Sequence, residues 1–261
     1  MFTFTDIASV GAGSLVGLSL GLVGGGGSIL AVPLLVYGVG VPSAHAAIGT
    51  SAIAVAMSAA ANLTGHARAG TVKWRCATVF AAAGVIGASG GAHLAKMVDG
   101  GRLLALFGLL MIGVGLLMLR PRTSAGDVDV RLTRATASRL LPLLIAGGLA
   151  VGVLSGFFGI GGGFLIVPSL IGATAMPLLN AIGSSLVSVT AFGVTTAASY
   201  ALSDLVVWRI AAFFVLGGLI GGFAGVRLAS RLARHQRALG RIFAGVVVAA
   251  GGYVTAMSFM H

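Results

Sequence analysis

Glutamate is missing from this chain altogether, and its five acidic residues are Asp6, Asp99, Asp127, Asp129 and Asp204. All five fall at the edges of apolar stretches or between them, which argues against a buried carboxylate relay for protons or a carboxylate cage for cations. Cysteine is nearly absent too. Cys76 stands alone, so no intramolecular disulfide, cysteine metal cluster or thiol relay is available, and it reads as a small apolar filler. The five histidines, His45, His66, His93, His235 and His261, have no metal-ligand spacing. No hydrolytic triad or carboxylate pair can be assembled, so an enzyme, a metal site and a cofactor are not expected. The opening MFTFTD carries no Lys or Arg, so the positive n-region of a cleavable signal peptide is missing and the first segment is expected to stay in the fold.

What remains is apolar. Of 261 residues 57% are hydrophobic and only 8% are charged, and the mean hydropathy is +1.08, outside the range of soluble domains. The apolar stretches between charged loops are long enough, at roughly 20 residues, to cross a bilayer as helices. Strand-like alternation is missing, and in lipid every backbone amide must be satisfied internally, so an all-α polytopic membrane protein is expected. A net charge of +11 would suggest nucleic acid in a soluble protein. Here the basic residues sit in short loops, where they fix orientation and touch anionic lipid, and no nucleic-acid partner is expected.

The chain repeats itself. GLVGGGGSILAVP (21–33) and GFFGIGGGFLIVP (156–168) align at an offset of 135, which puts Gly24 on Gly159, Gly26 on Gly161, Gly27 on Gly162 and Pro33 on Pro168. After a one-residue slip, Ala47-Ile48-Gly49 falls on Ala181-Ile182-Gly183, Ser51 on Ser185, Trp74-Arg75 on Trp208-Arg209, and Gly84, Gly87 and Gly91 on Gly218, Gly221 and Gly225. Two homologous transmembrane repeats, 1–119 and 140–261, therefore flank a polar linker, 120–139. Each repeat holds four apolar blocks: 7–38, 44–65, 74–95 and 103–119 in the first, 140–172, 178–202, 206–228 and 240–260 in the second.

The leading block of each repeat is too long for one crossing and too short for two. The glycines divide it, giving a broken helix or re-entrant hairpin, with the short second piece of the first block expected to start near Ser28. Charge counting tests how such a block crosses. If every block crosses once, the 16 basic residues divide nine against seven; if the leading blocks return to the side they entered, they divide 13 against three. The second arrangement obeys the positive-inside rule. It makes the halves inverted-topology repeats with both termini outside and the linker cytoplasmic, the pattern of a secondary transporter with a site near the midplane.

A helix interrupted by glycines presents free amides and the positive end of its dipole, which suits an anion. The substrate-binding candidates are therefore Gly25, Gly26, Gly27 and Ser28 in one break and Gly161, Gly162 and Gly163 in the other. Downstream, His45, Thr50 and Ser51, and their near-equivalents Asn180, Ser184 and Ser185, supply hydrogen-bond donors; His45 and Asn180 also lie where helices would start. Asn62 and Thr196 form a further pair suited to interhelical hydrogen bonding, and Trp74, Arg75, Trp208 and Arg209 suit interface anchoring. A soluble-type phosphate loop is not supported, because no Lys-Ser/Thr follows the glycines.

The duplicated G-x-x-G-x-G-G-G-x-x-x-x-P pattern, clearest in GFFGIGGGFLIVP, together with AIGTS and AIGSS and the two-half layout, resembles the TauE/SafE sulfite exporter family, also called the four-toluene sulfonate uptake permease family. The resemblance covers nearly the whole chain. It implies a bacterial inner-membrane permease for sulfite, sulfoacetate, thiosulfate or related sulfonates, more often exporting, with the sulfur anion and the bilayer as partners. A homodimer, the coupling ion and the exact anion are left open, as is an anion channel with the same site. The first copy departs from the second, with Gly25 and Ser28 opposite Ile160 and Gly163, so the two half-sites are not expected to be equivalent.

Overall fold

In a computed structural model, described for residues 3–23, 25–119, 134–161, 163–231 and 236–259, the apolar blocks are helices, and no strand occurs among those residues. Helix α1 (Phe4–Val23) ends at the first glycine run. A composite segment follows, wound as a 3₁₀ turn over Gly25–Leu30, as α2 over Ala31–Pro33 and as a π turn over Leu34–Val39. Then come α3 (Ala44–Arg68), α4 (Trp74–Lys96) and α5 (Gly100–Leu119). The second half repeats the order with α6 (Arg134–Phe158), α7 (Gly163–Thr174), α8 (Leu178–Ala201), α9 (Trp208–Arg231) and α10 (Gln236–Phe259). Six of these, in α3, α4, α5, α6, α8 and α9, are long and apolar enough to cross a membrane. Residues 120–133 of the expected linker lie outside the described residues, and its last six, 134–139, already belong to α6.

One detail differs from expectation. The short piece of the first block starts at Gly25, not near Ser28, and Ser28 lies inside the 3₁₀ turn. The cause is crowding. A Cβ placed on Gly27 would meet the Leu20 amide nitrogen and the Ser19 backbone, so the chain folds back directly on the last turns of α1 and winds tightly to do so. Pro33, which has no N–H to donate, stands at the change from α to π winding.

Helices pair across the halves. α1 packs along α9, α6 along α4, α3 against α8 and α5 against α10. The first two seams are built the same way, with glycines that bring backbones together. A Cβ on Gly13 would meet the Phe214 carbonyl and one on Gly17 that of Gly218; at the equivalent positions, Gly148 would meet Phe80 and Gly152 would meet Gly84. Both seams are parallel, since the contacts advance together along the two chains.

These contacts fix which helix ends share a side. At one end α1 begins beside α9, where Arg209 donates to both Asp6 carboxylate oxygens (3.0 and 2.8 Å). α3 begins there as well, because the Val207 amide donates to Thr50 Oγ1 (3.1 Å). At the other end α6 begins beside α4, and α8 begins there too, where the Lys73 amide donates to Ser184 Oγ (2.8 Å).

Candidate functional site

The two glycine breaks meet. The 3₁₀ turn that follows the first break packs against α7, the helix that follows the second. On the second-half side the chain leaves α6 through Gly159 (φ +66°) and Gly161 (φ +61°), left-handed conformations that side chains rarely adopt. Gly159 lies against Ile48, in the second turn of α3, and Gly161 against Val55 and Val189, near the middles of α3 and α8. The junction is therefore at mid-depth. Ser51 fastens this turn to α3, its hydroxyl directed at the carbonyls of Ile48 (2.9 Å) and Gly159 (3.3 Å). Ser28 is fully buried in the 3₁₀ turn. No Lys, Arg, Asp or Glu occurs in 25–39 or 156–174, so whatever binds between the breaks meets amides, hydroxyls and helix dipoles.

The candidates read from sequence divide into groups. Gly25, Gly26, Gly27, Ser28, Gly161 and Gly163 lie in or beside the two packed segments, and Ser51 bonds the Gly159 carbonyl at the second; Gly162 lies outside the described residues. Thr50 and Ser184 are equivalent in place and in contact, each accepting the backbone amide that precedes a helix of the opposite seam. Ser185 bonds the Ile182 carbonyl within its own helix. His45 and Asn180 stand at opposite ends of the bundle, His45 Nε2 on the Ala95 carbonyl (3.1 Å) and Asn180 Nδ2 donating to the Thr71 carbonyl (2.9 Å). Thr196 is buried, and Asn62 is partly exposed. Trp74 and Trp208 are half-exposed or more, Arg75 is exposed, and Arg209 reaches Asp6. That last pair was not legible in the sequence, where Asp6 is only the acidic residue at the edge of the first block.

The Thr50 contact carries a testable consequence. Replacing Thr50 with valine removes the acceptor for the buried-side amide of Val207, and an unsatisfied amide costs about 1–3 kcal/mol. Ser184→Ala, which removes the Ser184 hydroxyl from the Lys73 amide, should have the same effect. Thermal unfolding in detergent is expected to show both variants destabilised alike; a neutral outcome at either site would remove the paired role.

No solved structure matches the chain. Its helical bundle and paired broken helices define a polytopic membrane transport protein. More narrowly, the chain belongs to the sulfite exporter TauE/SafE family, whose model matches residues 9–254. It is 52% identical over 248 residues to a probable membrane transporter protein of Xylella fastidiosa strain Temecula1, covering 95% of this chain and 94% of that one. It is also 28% identical over 233 residues to the probable membrane transporter protein YunE of Bacillus subtilis, with 83% and 85% covered. A probable membrane transporter protein of Haemophilus influenzae is 29% identical over 192 residues, with 71% and 69% covered.

Proposed function

We propose that the chain is a secondary permease for small sulfur-containing anions such as sulfite, sulfoacetate, thiosulfate or sulfonates, exporting them by alternating access around the junction of the two breaks. The observation that carries this reading is the packing of the 3₁₀ turn after the first duplicated glycine break on the helix after the second. Helix amino ends at such breaks favour negative charge, and glycine lets backbone amides approach it. The sulfur specificity follows the family's description.

The packing supports inverted-topology repeats, since each leading block returns to the end it left and the halves do so at opposite ends. With that arrangement the charge count read from the sequence divides the basic residues 13 against three, the three being Lys96, Arg102 and Arg209. The positive-inside rule then makes the first end cytoplasmic, in the bacterial inner membrane, with both termini periplasmic. A membrane potential negative inside drives an anion outward, in keeping with export.

The test is uptake of radiolabelled sulfite into proteoliposomes, with and without an imposed potential, in competition with thiosulfate, sulfoacetate, sulfate and phosphate. Saturable flux, blocked by sulfur oxyanions and not by phosphate, is the expected result. Large flux that fails to saturate would identify a channel at the same site, and no flux with any of these anions would overturn the reading.

A further inference from the structure

Four hydroxyls, those of Ser155, Ser188, Thr196 and Tyr200, are fully or almost fully buried with no hydrogen-bond partner among the described residues. Three of them lie on α8. Residues 188, 192, 196 and 200 recur at four-residue spacing, a stripe that winds slowly round the helix over about 18 Å. Its orientation is fixed by contacts: Phe192 stacks on Phe80 and faces Gly84 of α4, and Tyr200 lies against Gly49 of α3. Thr196 lies between them on the same stripe and is buried.

The stripe connects the two regions that matter for an anion. At mid-depth, Val189 touches Gly161 of the second break, next to Ser188. At the end where α3 begins, Lys96 stands over Tyr200, its Nζ 5.9 Å from the ring centroid. Lys96 donates to the Ser199 carbonyl (3.2 Å), Ser199 Oγ (3.1 Å) and Ser203 Oγ (3.0 Å). All three acceptors are uncharged, so its positive charge is not cancelled by a bonded carboxylate. Serine and threonine hydroxyls in apolar helices ordinarily donate to the carbonyl four residues back, as Thr190 and Thr195 do on this same helix. Thr196 does not, and a buried hydroxyl left this way is costly unless another group visits it.

We propose that Thr196, Tyr200 and Lys96 form an outer anion station, a second binding site for the small oxyanion on its way between the glycine junction and the end bearing Lys96. The ammonium supplies attraction and the two hydroxyls donate hydrogen bonds in place of water. The station is one-sided. The positions equivalent to Thr196 and Tyr200 in the first half are Asn62 and His66, and His66 Nδ1 is engaged by Thr71 Oγ1 (2.9 Å) toward the opposite end. This inference rests on the anion-permease reading, and it adds residues that the glycine motif does not contain.

Two measurements separate the station from that reading. The full chain in detergent is titrated with radiolabelled sulfite by equilibrium dialysis, and sided vesicles give KM and maximal rate for sulfite offered at either end. Lys96→Gln and Thr196→Val are expected to raise KM at the Lys96 end by roughly 10-fold, about 1.4 kcal/mol, with little change at the other end, while Lys96→Arg and Thr196→Ser restore it. Tyr200→Phe should act in the same direction. A merely structural Lys96, capping the end of α8, would instead lower folded yield and alter both sides equally. Wild-type binding and flux with KM unchanged at both ends in Lys96→Gln and Thr196→Val would overturn the station and leave the permease standing. Absence of both binding and flux in the wild type would overturn the two together.

Discussion

Replacing Gly152 with leucine is expected to break the α4–α6 seam and to cost at least about 3 kcal/mol, enough to abolish a stable fold. A Cβ at this position would meet the Gly84 carbonyl oxygen, and it would lie 2.7 Å from Gly84 Cα and 2.8 Å from its carbonyl carbon. These are backbone atoms, with no rotamer to turn aside, so the helices must separate. Separation is expensive here because the seam has few large side chains to fill the gap: Gly148 meets Phe80 and Gly156 meets Ala88 in the same way one turn to either side. Lipid offers no hydrophobic drive to push the helices back together, and close packing of small residues supplies much of their attraction. Gly17→Leu, the equivalent change in the α1–α9 seam, should be equally severe. Gly90, on α4 with open space around it, provides the contrast, and Gly90→Ala should be neutral or slightly stabilising. Cys76, the only cysteine and 1% exposed, reports unfolding directly through its reaction with a maleimide dye. Labelling of Gly152→Leu at the same denaturing midpoint as the wild type would refute the argument.

Much of this architecture was legible because glycine at a helix crossing and glycine at a break leave a positional record. Gly87 repeats as Gly221 because the same backbone approach is built twice, against Leu149 in one seam and Ser14 in the other. The lengths of the apolar blocks likewise marked where the long helices would lie. What was not legible depended on partners far away in sequence. Thr50 and Ser184 are recognisable as hydroxyls beside a break, yet the amides they accept belong to residues 157 and 111 positions distant. Asp6 reads as an edge residue until α9 brings Arg209 to it. The orphan hydroxyls of α8 are hidden for a different reason. Thr195 and Thr196 are adjacent and chemically alike, and only the fold decides that one bonds its own helix and the other is buried with no partner among the described residues. The winding of 25–39 was missed because four glycines and a serine state no preference between α and 3₁₀ turns; the contact of Gly27 with Ser19 decides it.

Gly161→Val is expected to lower sulfite flux at least 100-fold while the protein still inserts and folds. The native φ of +61° is the left-handed region, which costs an L-residue about 1–2 kcal/mol and a β-branched one more. The added Cβ would also lie 2.7 Å from Val55 Cγ1 and 3.0 Å from Val189 Cγ1, short branched side chains with little room to yield. The turn must therefore shift, and with it the amino end of α7 that faces the other break. A 100-fold loss corresponds to roughly 2.7 kcal/mol, so a displacement that weakens two amide contacts to the anion is sufficient. Gly172→Ala, in α7 with nothing within 4 Å, should transport normally. The equivalent change in the first half sets the sharper comparison. Gly26 occupies a right-handed 3₁₀ turn and needs no left-handed backbone, so Gly26→Ala should impair flux less than Gly161→Ala. Equal losses would mean that the two breaks act as equivalent half-sites despite their different winding; normal flux in Gly161→Val, with Cys76 still protected from dye, would remove the junction from the transport path.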